Sequence, residues 1–157
     1  MAALACLLLS AGPAQAAADC SIAAVALNFG AYDPALTSPD DSVGSVTVTC
    51  RHIAGSAARI NYRVTLSNGT NGTNASTRQM AAGQGRLGYN VFNDPAHTQV
   101  LGNGLGGTVI ASGSMLIGPG SGNGTRTFTH PVYGRIPQLQ DAVPGTYNDT
   151  LLVTLTY

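Results

Sequence analysis

The side chains able to do chemistry are few and scattered. His52, His97 and His130 lie far apart and share no metal-ligand spacing, so no metal site is expected. Nucleophilic catalysis by a serine would need a G-x-S-x-G elbow, and none occurs. Glycoside hydrolysis would need two facing carboxylates drawn from seven aspartates. Of these, Asp33, Asp40, Asp41 and Asp94 read as turn formers. Gly102-Asn-Gly104-Leu-Gly-Gly107 matches the dinucleotide-binding pattern by letter. That pattern needs a helix next and an acid about twenty residues on, whereas Thr108-Val-Ile-Ala-Ser follows and Thr127 stands near the acid's place. The segment reads as a flexible hairpin loop. Neither an enzyme nor a cofactor is expected.

Cysteine chemistry points to structure. Cys6, Cys20 and Cys50 contain no Cys-x-x-Cys pair. The first eighteen residues are mostly apolar, with a Leu7-Leu8-Leu9 centre, a Gly12-Pro13 break and small-residue cleavage contexts ending at Ala16 and Ala18. They read as a secretory leader, too short for a membrane span, although the usual opening Lys or Arg is missing. Asp19 before Cys20 argues against a lipoprotein signal. The expected division is a leader over 1–18 and one domain over 19–157. Cleavage removes Cys6, and in an oxidising compartment Cys20 and Cys50 most simply form one disulfide.

The elements that position these residues are strands. All seven basic residues are Arg and all seven acidic ones Asp, so the helix formers Lys and Glu are absent. A net charge of zero suggests no nucleic-acid or anionic-membrane partner. Alternation places Val25, Leu27 and Phe29 on one face of a strand over 21–29, and Val46, Val48 and Cys50 on another over 45–50. Ile60 to Ser67, Leu87 to Phe92, Thr108 to Leu116 and Thr125 to Ile136 continue the series, with Pro131 indicating an edge or bulge. Ser67 to Gln84 and Pro119 to Gly124 read as exposed loops. The count and turn spacing predict an all-β sandwich.

The final stretch stands out. Leu151, Val153, Leu155 and Tyr157 share one face of a terminal strand, and an apolar terminal strand invites pairing with a partner. Asn68, Asn71, Asn74, Asn123 and Asn148 head Asn-x-Ser/Thr sequences, which matter only in a glycosylating host.

Leu27-Asn-Phe-Gly-Ala-Tyr-Asp-Pro34 followed by Gly44-Ser-Val-Thr-Val-Thr-Cys50 resembles the opening of the spore coat protein U domain. Tyr62 to Ser67, Arg78-Gln-Met80, Leu87-Gly-Tyr89, Val132 to Pro137 and Gly145-x-Tyr147-x-Asp149-Thr150 are similar to that family in order and spacing. The resemblance implies a secreted structural protein, many relatives being subunits of archaic chaperone–usher pili. It further implies an immunoglobulin-like sandwich lacking its last strand. A periplasmic chaperone would supply that strand during assembly at an outer-membrane usher, and a neighbouring pilin afterwards. Carried over, the donor-strand groove would be walled by Val25, Leu27 and Phe29 on one side and Leu151, Val153, Leu155 and Tyr157 on the other. The short stretch before Cys20 predicts a subunit that accepts a strand without donating one, placed at a fibre end. The alternatives are a self-complete coat or matrix protein, or a carbohydrate-binding module, for which the chain lacks any Trp.

Overall fold

The computed structural model describes residues 17–120 and 124–157. The expected leader lies almost wholly outside them, as does the middle of the loop over 119–124. Eight strands follow in order: β1 Ala17–Val25, β2 Asp40–Ala54, β3 Ala58–Leu66, β4 Arg78–Ala82, β5 Gly85–Phe92, β6 Ala111–Ile117, β7 Thr125–Ile136 and β8 Val153–Thr156. They form two antiparallel sheets, a larger one ordered β1-β2-β7-β5-β4 and a smaller one ordered β6-β3-β8. This is the expected all-β sandwich. Among the described residues no helix is long and apolar enough to cross a membrane.

The long β2–β7 ladder is the backbone of the larger sheet, running from Asp40↔Ile136 to Arg51↔Thr125. Its inward residues Val46, Val48, Cys50, Val132 and Ile136 are buried. They meet Tyr62, Val64 and Leu66 of β3 and Met115 and Ile117 of β6 in one core. Outward threonines pair across the ladder, Thr47 with Thr129 and Thr49 with Thr127. Cys20 and Cys50 are direct partners in the β1–β2 register and are joined by the expected disulfide. Pro131 lies in β7 opposite Ser45, but β5 pairs only with residues 133–135 of β7. On that side the missing proline N–H therefore breaks no ladder bond.

Four expectations change. The strand over 21–29 ends at Val25, and residues 26–29 leave the ladder. Two glycines permit this: a Cβ on Gly44 would lie 2.5 Å from the Val25 carbonyl, and one on Gly134 2.7 Å from both Leu27 Cδ1 and Phe29 Cζ. The chain thus crosses the inner face of the larger sheet where that face has no side chains. Ser67 to Gln84 is not wholly an exposed loop, because it contains β4 and buries Ala75 and Arg78. Asp40 and Asp41 open β2 instead of making a turn, and Arg135 holds Asp41 through two 2.7 Å bonds. The terminal strand shortens to Val153–Thr156, paired with β3 from Arg63↔Thr156 to Leu66↔Val153. The glycine-rich loop at 102–107 leads into β6, not into a helix.

Candidate functional site

β8 closes one end of the smaller sheet's order, so among the described residues one of its edges carries no neighbouring strand. Beside it the two layers stand apart. A cavity of about 300 Å³ opens between residues 24–29 and 147–153. Its floor includes Val46, Leu66, Val91 and Val132, core residues contributed by both sheets. A second cavity of about 780 Å³ continues past Tyr32 and Pro34 to the segment 142–146. Ala26, Leu27, Phe29, Met80, Tyr147 and Asn148 line both, so the two form one trough.

The residues expected to wall a groove divide. Val25, Leu27, Phe29, Leu151 and Val153 line the first cavity. Leu155 packs against the core beyond either cavity, and Tyr157 is exposed. The trough is therefore displaced toward residues 142–153. Sequence periodicity missed Met80, Tyr89 and Tyr147, which sit in its lining. Met80 was hidden inside the expected loop. Tyr89 and Tyr147 had a signal in the motifs quoted for the family resemblance, but no periodicity assigned them to a cavity.

Residues 148–152 form a strut between the layers. Asn148 exchanges two backbone hydrogen bonds with Ala81 of β4, in the larger sheet. Leu152 donates its N–H to Ser67 Oγ and accepts from the Ser67 N–H, at the end of β3 in the smaller sheet. Asp149 sits between these pins. Its Oδ1 accepts from the Thr70 N–H at 2.8 Å, the Thr70 hydroxyl at 2.7 Å, the Asn71 amide at 3.2 Å and the Thr150 N–H at 2.9 Å. Its Oδ2 accepts from the Tyr89 hydroxyl at 2.7 Å. Burial alone would raise its pKa, but the bonds from Thr70, Tyr89 and Thr150 together hold it below the ordinary carboxylate value. Burial and the bonded carboxylate push the Tyr89 phenol upward. Gly69, at φ +86°, leaves the space that the Asp149 carboxylate fills.

Arg78 is buried beneath the same region. It donates twice to the Ser67 carbonyl, at 3.1 and 2.8 Å, once to the Leu101 carbonyl at 2.8 Å, and to Asn90 Oδ1 at 3.0 Å. Burial lowers its pKa, and nearby Tyr89 and Asp149 act in the opposite direction. The arrangement is that of a cation stapling strand ends together.

The histidines stay separate. His52 bonds the Gly55 carbonyl, His97 packs against Phe92 and Tyr133, and His130 meets the Tyr62 hydroxyl at 2.9 Å. Among the described residues no three His, Cys, Asp or Glu side chains gather as metal ligands would. What the trough offers is apolar side chains and an unpaired strand edge, the chemistry of strand binding.

Comparison with known proteins fits this geometry. The solved structure of the CsuC–CsuE chaperone–tip adhesion subunit pre-assembly complex, from archaic chaperone–usher Csu pili of Acinetobacter baumannii, contains a chain of similar fold. The TM-score is 0.57 at 24% identity, over 90% of this chain and 40% of that one. The likeness is one of fold, and this chain spans less than half of the matched chain. Protein U of Myxococcus xanthus is 30% identical over 143 residues, covering 83% of this chain and 71% of that protein. Residues 3–154 match the Spore Coat Protein U domain, a match that begins inside the apolar N-terminal segment. The chain belongs to the Spore Coat Protein U domain family.

Proposed function

We propose that this protein is an exported structural subunit of a surface fibre assembled by the chaperone–usher route, and that its trough accepts a β-strand from another chain. The observation that carries this reading is the trough itself. Buried core residues from both sheets form its floor, beside a strand edge that has no neighbour among the described residues. A strand laid there would give β8 a ladder partner and bury apolar side chains at about 0.8 kcal/mol per methylene. Its partners would be a periplasmic chaperone, the outer-membrane usher and neighbouring pilin subunits. The likeness in fold to a chain of a chaperone–subunit complex supports that set. The fibre-end position expected from the sequence follows if the mature chain starts close to Ala17; a start well upstream makes the subunit a donor too.

The test is expression with the leader in the native periplasm, followed by mass spectrometry of whatever co-purifies. A stoichiometric chaperone that a pilin N-terminal peptide displaces supports strand acceptance. A lone monomer that unfolds reversibly and ignores both overturns it, and leaves a self-complete coat or matrix protein as the reading.

A further inference from the structure

The wall of the trough at residues 147–153 is hydrogen-bonded to both layers. We infer that the Asp149 carboxylate is the spacer that keeps the trough open and sets the position of its C-terminal wall. The inference rests on the strand-accepting reading and deepens it by naming a positioning residue.

The geometry uses both oxygens of the carboxylate. Oδ1 faces the loop that follows β3 of the smaller sheet, taking the Thr70 N–H, the Thr70 hydroxyl and the Asn71 amide. Oδ2 faces the larger sheet, taking the Tyr89 hydroxyl on β5. One side chain thus binds both layers through different oxygens, at fixed separation. The backbone on either side is pinned as well, Asn148 to the larger sheet and Leu152 to the smaller. Tyr89, Asp149, Leu151 and Val153 all border the first cavity, so the spacer stands in the wall it would position. An asparagine could keep both contacts by donating its amide N–H to the Tyr89 oxygen, so the substitution that removes them is alanine.

The experiment fuses a strand of about ten alternating Val and Thr residues after Tyr157, through a short Gly-Ser turn. Running antiparallel to β8, its far end reaches the Asn148–Leu151 section. Amide hydrogen exchange of the fused strand reads how fully the trough is occupied. A second fusion lacks the last four residues and so stops short of Asp149. Asp149→Ala, which removes the contacts to both layers, is expected to cut protection of the full-length strand by about tenfold or more, tenfold being the size of one lost hydrogen bond to a charged acceptor. It should leave the shortened strand nearly unaffected. Tyr89→Phe, which removes only the larger-sheet contact, should act in the same direction and serves if the first variant does not fold. Equal losses for both strand lengths would mean general destabilisation and overturn the spacer role, as would no loss at all. A wild-type fusion showing no protection overturns the strand-accepting reading itself.

Discussion

The two ends of this sandwich solve one packing problem in opposite ways. At one end Gly113 of β6 stands directly across from Tyr62 of β3, and the Tyr62 ring covers the glycine. That ring reaches the opposite sheet, where its hydroxyl meets His130 of β7 at 2.9 Å. Phe128 stacks beside His130 at 4.7 Å between ring centres. The Cys20–Cys50 disulfide ties β1 to β2 at this same end. At the other end Gly44 is covered by the Val25 carbonyl at the close of β1, and Gly134 by Leu27 and Phe29 from a segment outside the strands. Those side chains border open cavities, and Phe29 meets the Tyr89 ring edge-on at 6.2 Å between centres without a hydrogen bond of its own. A glycine in a strand leaves a vacancy. What fills it decides whether that part of the molecule is closed or receptive.

The largest effect should come from the closed end. Cys20→Ser with Cys50→Ser opens a loop of 30 residues, and the chain-entropy model gives a loss of about 3–4 kcal/mol. Thermal unfolding of the reduced and oxidised wild-type protein should reproduce the difference between variant and parent. Next is Gly113→Ala. Its Cβ would stand 2.5 Å from Tyr62 Cζ, and the ring cannot retreat without losing His130, so a loss of about 1–3 kcal/mol is expected. Gly134→Ala makes the paired test. The atoms nearest its new Cβ are the far ends of Leu27 and Phe29, which can swing into the cavities beside them. Chemical denaturation should show a loss below about 1 kcal/mol for this variant, while strand uptake falls because the trough is narrower. Equal losses at Gly113 and Gly134 would erase the contrast between the ends.

The closed end was the more legible in sequence, for a physical reason. Alternation reports a residue's face relative to its own strand, and the closed end is built from regular strands: β7 starts and stops where alternation places it. The cysteine pair was equally plain, since two thiols and one oxidising compartment leave a single pairing. The open end departs from the period. Val25, Leu27 and Phe29 alternate as a strand should, yet the chain leaves the ladder after Val25 because Gly44 on β2 and Gly134 on β7 make room. β4 was lost because Arg-Gln-Met-Ala-Ala has no β-branched residue and follows a polar loop. Asp149 joins Thr70 and Tyr89 across separations of 79 and 60 residues, which no local pattern encodes.

The smallest expected effect sharpens the comparison through pH. His130 is buried, and burial lowers its pKa from the ordinary histidine value of 6.5. The unfolded chain therefore takes up a proton at a higher pH than the folded one. Stability from the neutral ring is fully present above about pH 6.5 and declines as pH falls toward the lower folded value. Asp41, Asp94 and Asp149 also weaken the fold with acid, their pKa values lying below the ordinary carboxylate value of 3.8. Between about pH 4.5 and 6.5 the decline assigned to His130 is thus separated from theirs. His130→Gln removes the titration while keeping a polar partner for the Tyr62 hydroxyl, so its melting temperature should vary less across that window than the parent's. Strand uptake should not follow the same curve, because the trough lining contains no histidine. A shared pH profile for stability and uptake would mean that the two ends open together, and the division between a closed and a receptive end would fail.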